Sequence, residues 1–186
     1  MKKRATPIDV LRGKAVVLGN EKILENWSIL IKNAKGKGEQ IYEKTKKYIE
    51  EANNPDIEAD IIKVIPKSTI GKRIKWTKQR EYLRVRNKVL RDYRMYIGVR
   101  DYGNNLDVQW YLTCEPGFFR KYLSKALTNS DMGLSFALDV FQQQDLRAFA
   151  TLVHHSLLRA VVELMSELNQ DPSKIDRKSR GFLGIS

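Results

Sequence analysis

Between Leu106 and Cys114 apolar and polar side chains alternate without a break: Leu106, Val108, Trp110, Leu112 and Cys114 against Asp107, Gln109, Tyr111 and Thr113. Successive strand residues point to opposite faces, so this period of two predicts a half-buried β-strand. The stretch REYLRVRNKVLRDYRMYIGV (Arg80–Val99) predicts two more, with Leu83, Val85 and Val89 inward on the first and Tyr93, Met95, Ile97 and Val99 inward on the second. A turn over 100–105 follows. Upstream, Ile57–Ile65 and Ile70–Thr77 predict two further strands, parted by Pro66 and a Lys-Ser-Thr turn.

Three-to-four spacing flanks these strands. Ile23, Leu24, Trp27, Leu30 and Ile31 share one helical face behind a capped start at Asn20. After the glycines at 36 and 38, Ile41, Tyr42, Thr45, Tyr48, Ile49 and Ala52 predict a second helix, ended by Asn53, Asn54 and Pro55. Pro116 and Gly117 close the sheet, and a short helix over Phe118–Leu127 and a polar break lead into a helical segment reaching about Asn169. Its stripe runs through Phe149, Leu152, Val153, Leu157, Ala160, Val161, Leu164, Met165 and Leu168, and Leu158 and Val162 widen it. So broad a stripe predicts burial against the sheet and against a second surface, either the N-terminal helices or another copy of the chain.

The expected fold is therefore α+β: N-terminal helices, an antiparallel meander of about four to five strands, and a long C-terminal helical segment. Residues 1–172 form this domain, and 173–186, basic and then apolar, are expected to be loosely ordered. If Ala15–Leu18 is one more strand, the element order resembles that of helix-grip ligand-binding folds, a likeness of architecture that carries no function.

Charge changes the picture more than composition does. The 186 residues hold 34 basic and 22 acidic side chains, a formal net charge of +12. Such a field favours polyanionic partners. The excess is regional: eleven basic residues lie between Lys72 and Arg100 against Glu81 and Asp92, whereas acids outnumber bases between Asp131 and Gln170. Cys114 is the only cysteine, which excludes an intramolecular disulfide. With neither a signal-peptide core nor a run of roughly 18 to 20 apolar residues to span a bilayer, a cytoplasmic location is the expectation.

No catalytic or metal-binding signature emerges, and no cofactor is expected. His154 and His155 are the only histidines, and helical neighbours point about 100° apart, which suits no chelate. One is expected at the edge of the core and the other in solvent. Cys114 shares the parity of Trp110 and reads as an inert core residue. Lys35-Gly36-Lys37-Gly38 lacks the Walker spacing and the third glycine of a dinucleotide fingerprint, and reads as a turn. Asp107, Asp139 and Asp145 show no convergence.

The remaining chemistry lies on the polar parity of the strands. It directs Arg80, Tyr82, Arg84, Arg86, Arg94, Tyr96, Arg100 and Tyr111 to one face, with Lys72, Arg73, Lys75 and Lys78 clustered beside it. Guanidinium groups bind phosphate, and aromatic rings offer platforms for unpaired bases. The expectation is a non-enzymatic module that binds nucleic acid or another polyanion there. One alternative is an assembly subunit or adaptor, docking on a protein partner or a second copy through the apolar face around Leu158 and Val162. Another is a small-ligand carrier or enzyme with a pocket under the sheet.

Overall fold

The computed structural model describes residues 15–18, 21–66, 80–115, 139–181 and 183–186. In chain order these form β1 (Ala15–Leu18), β2 (Lys22–Ile31), α1 (Gly38–Glu51), β3 (Ile57–Pro66), β4 (Arg80–Asn87), β5 (Tyr93–Tyr102), β6 (Asn105–Cys114), α2 (Val140–Glu167), a 3-10 turn (Pro172–Lys174) and β7 (Arg180–Gly181). The strands make one sheet in the order β1-β3-β4-β5-β6-β2-β7. From β3 to β7 every neighbour is antiparallel, and β1 adds parallel to β3. The fold is thus α+β, with six antiparallel strands instead of four to five. The strand expected at Ile70–Thr77 and the short helix at Phe118–Leu127 lie outside the described residues.

The inner face of the meander follows the alternation in the sequence. Leu83, Val85, Met95, Ile97, Leu106, Val108, Trp110 and Leu112 are all fully buried there, in one core with residues of α1 and α2. Helix α1 buries Ile41, Tyr42, Thr45, Tyr48 and Ile49 and ends where Asn53 takes a positive φ of 49°, a conformation that asparagine tolerates. Helix α2 starts with a capping box: the Asp139 side chain accepts from the Gln142 amide at 2.7 Å, and the Gln142 side chain accepts from the Asp139 amide at 3.3 Å.

Leu158 is buried and Val162 packs on the core. The second surface that the broad stripe requires is supplied by this chain. Helix α1 lies against α2, with Lys44 paired to Glu163 at 3.1 Å and to Glu167 at 2.6 Å, and the Arg159 guanidinium 3.8 Å above the Tyr48 ring. By length and composition α2 could also cross a bilayer, but most of that window is buried inside the chain.

Three expectations are corrected. The first helix is strand β2. Glu25 is an acid at an inward strand position, and the register slips between Ile23 and Glu25, so Leu24 and Glu25 are both buried. A bulge of this kind shifts side-chain parity. Combined with the inward acid, it turns a strand pattern into an imitation of helical spacing. Val89 is 68% exposed and Leu90 is buried in its place, because β4 stops at Asn87, whose side chain accepts from the amides of Val89 and Leu90.

The third correction concerns the segment after Pro172, which packs closely: Ile175, Leu183 and Ile185 are buried in the main core. Its anchor is the carboxylate of fully buried Glu25, which accepts from the Leu183 amide at 2.5 Å, the Gly184 amide at 3.1 Å and the Ser179 hydroxyl. Strand β7 pairs with β2 at Glu25 and Asn26. A Cβ at Gly181, where φ is +148°, would stand 2.4 Å from the Leu24 carbonyl oxygen, so only glycine allows this approach. The Trp27 indole donates to the Asp176 carbonyl at 2.6 Å.

The ladder between β4 and β5 ends at Tyr82 and Gly98, although both strands continue. The Tyr42 hydroxyl enters where the next bond would be: it accepts from the Val99 amide at 2.9 Å and donates to the Glu81 carbonyl at 2.8 Å. The sheet therefore forks, with β3 and β4 on one prong and β5 and β6 on the other. Tyr42→Phe is expected to leave both backbone groups without this partner and to lower unfolding free energy by about 1–3 kcal/mol in a denaturant titration.

Candidate nucleic-acid interface

Strand register arranges the outer face, away from the helices, in cross-strand rows. One row runs Asp60, Arg84, Tyr96, Tyr111 and Asn26. On one side of it lie Glu58, Arg86, Arg94 and Thr113, and on the other Ile62, Tyr82, Gly98, Gln109 and Ser28. At the fork Val64 faces Arg80 on one prong and Asp107 faces Arg100 on the other. The described candidates do share this face.

Acidic residues share it too. Arg84 meets Asp60 through two bonds, Nη2 at 2.6 Å and Nε at 3.2 Å, and Arg86 pairs with Glu58 at 3.1 Å. Arg94 bridges Glu21, at 3.1 Å, and Glu115. Arg100 Nε lies 2.8 Å from Asp107. A phosphate reaching any of these four guanidinium groups would have to displace a carboxylate. Glu58 and Asp60 occupy the polar parity of β3, a signal present in the spelling IEADIIKVI. Glu21 could not be anticipated from spacing, because its position depends on how the chain enters β2.

The tyrosines differ from one another. Tyr96 faces outward but is 1% exposed, in a small second cluster with Ile62, Val64 and Tyr82. Its hydroxyl donates to Glu21 at 2.9 Å, and burial, then the Glu21 charge, pushes its pKa up. It is a buried structural tyrosine and cannot serve as a stacking platform in this state. Tyr82 is half-buried and lies over Gly98: a Cβ there would meet three atoms of its ring at 2.6, 3.1 and 3.2 Å. Tyr111, also half-buried, donates to the Gln109 side chain at 2.7 Å. Its pKa is raised by burial first and then by Tyr82 and Asp107, against the pull of Arg100 and Arg80. Tyr102, expected in a turn, extends β5 and is 64% exposed, with the Arg100 guanidinium 5.9 Å from its ring centroid.

Lys72, Arg73, Lys75 and Lys78 lie outside the described residues, whereas the ends that flank them do not. The pairing of Val64 with Arg80 puts the last residues of β3 and the first of β4 at the forked end of the sheet. The three longer segments outside the described residues, 1–14, 67–79 and 116–138, hold thirteen of the 34 basic side chains and two of the 22 acidic ones. That leaves 21 basic against 20 acidic among the described residues, a nearly neutral body.

Other candidate chemistry resolves into structure. Cys114 is buried on the inner face, and burial, then the charge of Asp92, pushes its thiol up to about 12, far from a reactive thiolate. Among the described residues no group of three or more His, Cys, Asp or Glu side chains could hold a metal ion. The Gly36 amide donates to the Asp101 carboxylate at 2.8 Å, so the turn's own anion occupies the donor a phosphate would need. Leu158 is buried in the core, and Val162, partly buried, packs against it. A cleft of about 380 Å³ lies beside Ile49, Asn53, Pro55 and Ile57, between the end of α1 and β3. Beneath the central strands Trp110, Leu112, Val153 and Leu157 fill the space.

Searches for related proteins identify no family: no family model, no curated protein and no solved structure matches this chain. Its class rests on its own architecture, a forked antiparallel sheet backed by two described helices.

Proposed function

We propose that this chain is a non-enzymatic polyanion-binding module, with nucleic acid as its partner, that engages phosphate at the forked end of the sheet. The observation that carries this reading is the distribution of charge: the described body is nearly neutral, and the positive excess sits in segments 1–14, 67–79 and 116–138. Of these, 67–79 holds five basic residues and no acid, and it joins the sheet beside exposed Arg80. In this reading Lys72, Arg73, Lys75, Lys78 and Arg80 contact phosphate, while Arg84, Arg86 and Arg94 hold the outer face together through their carboxylates. Cytoplasmic nucleic acid is the matching partner pool.

Counterion release sets the test. Each engaged phosphate contributes roughly 0.7 to 0.9 to the slope of log affinity against log salt concentration. Replacing Lys72, Arg73, Lys75 and Lys78 together by glutamine is expected to lower that slope by about three in a fluorescence-anisotropy titration. Arg84→Gln is expected to leave it unchanged. An unchanged slope in the quadruple variant, or no salt-sensitive binding by the parent chain, would overturn the proposal.

A further inference from the structure

We infer that the nucleic acid bound at the fork is single-stranded, with an unpaired base stacked on Tyr82 and its phosphates drawn to Arg80 and Arg100. The inference rests on the polyanion reading above and deepens it, because phosphate binding by itself does not distinguish a strand from a duplex. Three observations converge on one place.

The first is the ring of Tyr82. Three of its atoms lie within 2.6–3.2 Å of where a Cβ on Gly98 would stand, so the ring lies down over the glycine. One ring face is thereby held against the sheet, and the residue, which packs at the edge of the second cluster, keeps part of its surface exposed. A ring fixed in that attitude presents its other face outward with little rotamer entropy left to lose on stacking. Tyr96, one strand over, lacks this freedom because its exposure is lost to the second cluster.

The second is the fork itself. The Tyr42 hydroxyl separates β4 from β5 just past the Tyr82–Gly98 pair. Tyr82 thus sits at the root of the opening, with Arg80 two residues along one prong and Arg100 two residues beyond Gly98 on the other. Arg80 is exposed on one prong, and on the other Arg100 is bonded to Asp107 at 2.8 Å. An anionic backbone entering the opening meets the exposed Arg80 directly and reaches Arg100 by displacing Asp107.

The third is the surrounding chemistry. Tyr111 lies on the same face within electrostatic reach of Tyr82, Arg80 and Arg100, and Tyr102 carries the Arg100 guanidinium 5.9 Å from its ring centroid. Aromatic rings interleaved with guanidinium groups suit splayed bases, whereas the stacked bases of a duplex offer no free ring face along their length.

The test compares three labelled probes of equal length: an oligothymidylate, the same deoxyribose-phosphate chain without bases, and a duplex. Tyr82→Leu is expected to weaken oligothymidylate binding about tenfold or more and to leave the abasic chain unaffected, in line with stacking measured elsewhere by ring removal. Tyr82→Phe keeps the ring and is expected to bind like the parent, which separates stacking from a folding defect. If Tyr82→Leu weakens both single-stranded probes equally, or neither, or if the duplex binds the parent chain as tightly as the oligothymidylate, the stacking inference fails while salt-sensitive binding keeps the polyanion reading. If the parent chain binds none of the probes in a salt-sensitive way, both fall together.

Discussion

Glu25→Ala is expected to release the C-terminal segment and to lower unfolding free energy by about 3 kcal/mol or more. The carboxylate receives the Leu183 and Gly184 amides and the Ser179 hydroxyl, and leaving a buried donor without a partner costs about 1–3 kcal/mol. The closed loop around it raises the stakes, because the Ser179 amide donates to the Ile185 carbonyl and the Ile185 amide to the Ser179 hydroxyl, both at 2.8 Å. Detachment caps the loss. Once residues 179–185 leave the sheet, water solvates the orphaned donors, and the remaining cost is the burial of Ile175, Leu183 and Ile185. Two measurements follow from this: a drop in the denaturation midpoint, and new tryptic cleavage after Lys178 or Arg180 in an otherwise folded protein. A variant with parent-like stability and no new cleavage would show that the anchor lies elsewhere.

The second large effect is acid sensitivity centred on His154. Its ring is fully buried between Trp27 and Trp110. The Trp110 indole can only donate, and it reaches Nδ1 at 2.9 Å, so Nδ1 accepts and the neutral ring carries its proton on Nε2. That proton points to the Arg177 carbonyl, 2.8 Å away. Protonation would set an Nδ1 donor against the indole donor in a desolvated site. Among the described residues, the titratable groups that act on it are His155, with its ring centroid 5.9 Å away, and Glu25.

Burial is the chief cause that lowers the His154 pKa from its ordinary value near 6.5. Below 6.5 the unfolded chain then binds a proton that the folded chain refuses, so stability is fully present above that pH and falls as the solution is acidified through it. The slope contributed by this one group approaches about 1.4 kcal/mol per pH unit. His154→Phe is expected to be less stable at pH 7, since Trp110 loses its acceptor, yet to lose stability less steeply between pH 6.5 and 5. Parallel stability profiles for parent and variant over that interval would exclude His154 as the acid-sensitive group.

The legible parts of this chain are those in which one periodicity was uninterrupted. From Leu106 to Cys114 alternation held for nine residues, and β6 buries every residue it should. The stripe of α2 and the Asn53 stop of α1 were equally plain, because helical spacing and an αL-tolerant residue act locally. The capping box at Asp139 is spelled out locally in Asp-Val-Phe-Gln. Reading failed at β2, where a buried acid and a bulge produced helical spacing from a strand. It failed again for the C-terminal segment, whose short apolar residues have no periodicity and gain their place only from Glu25, some 154 to 159 residues earlier in the chain.

The candidate face shows the same division between near and far. Parity along each strand placed Arg84, Arg86, Arg94, Arg100 and the tyrosines on one side of the sheet, since alternation is a property of a single extended backbone. Which acid stands opposite which arginine, that Tyr96 is sealed while Tyr82 lies flat on a glycine, and that a helix tyrosine pries β4 from β5 are consequences of register between strands distant in sequence. Local patterns along the chain thus settle direction and element type through steric preferences of neighbouring residues. Neutralisation, burial and the fork are settled only when the sheet assembles, because each depends on the distance between side chains that the sequence keeps tens of residues apart.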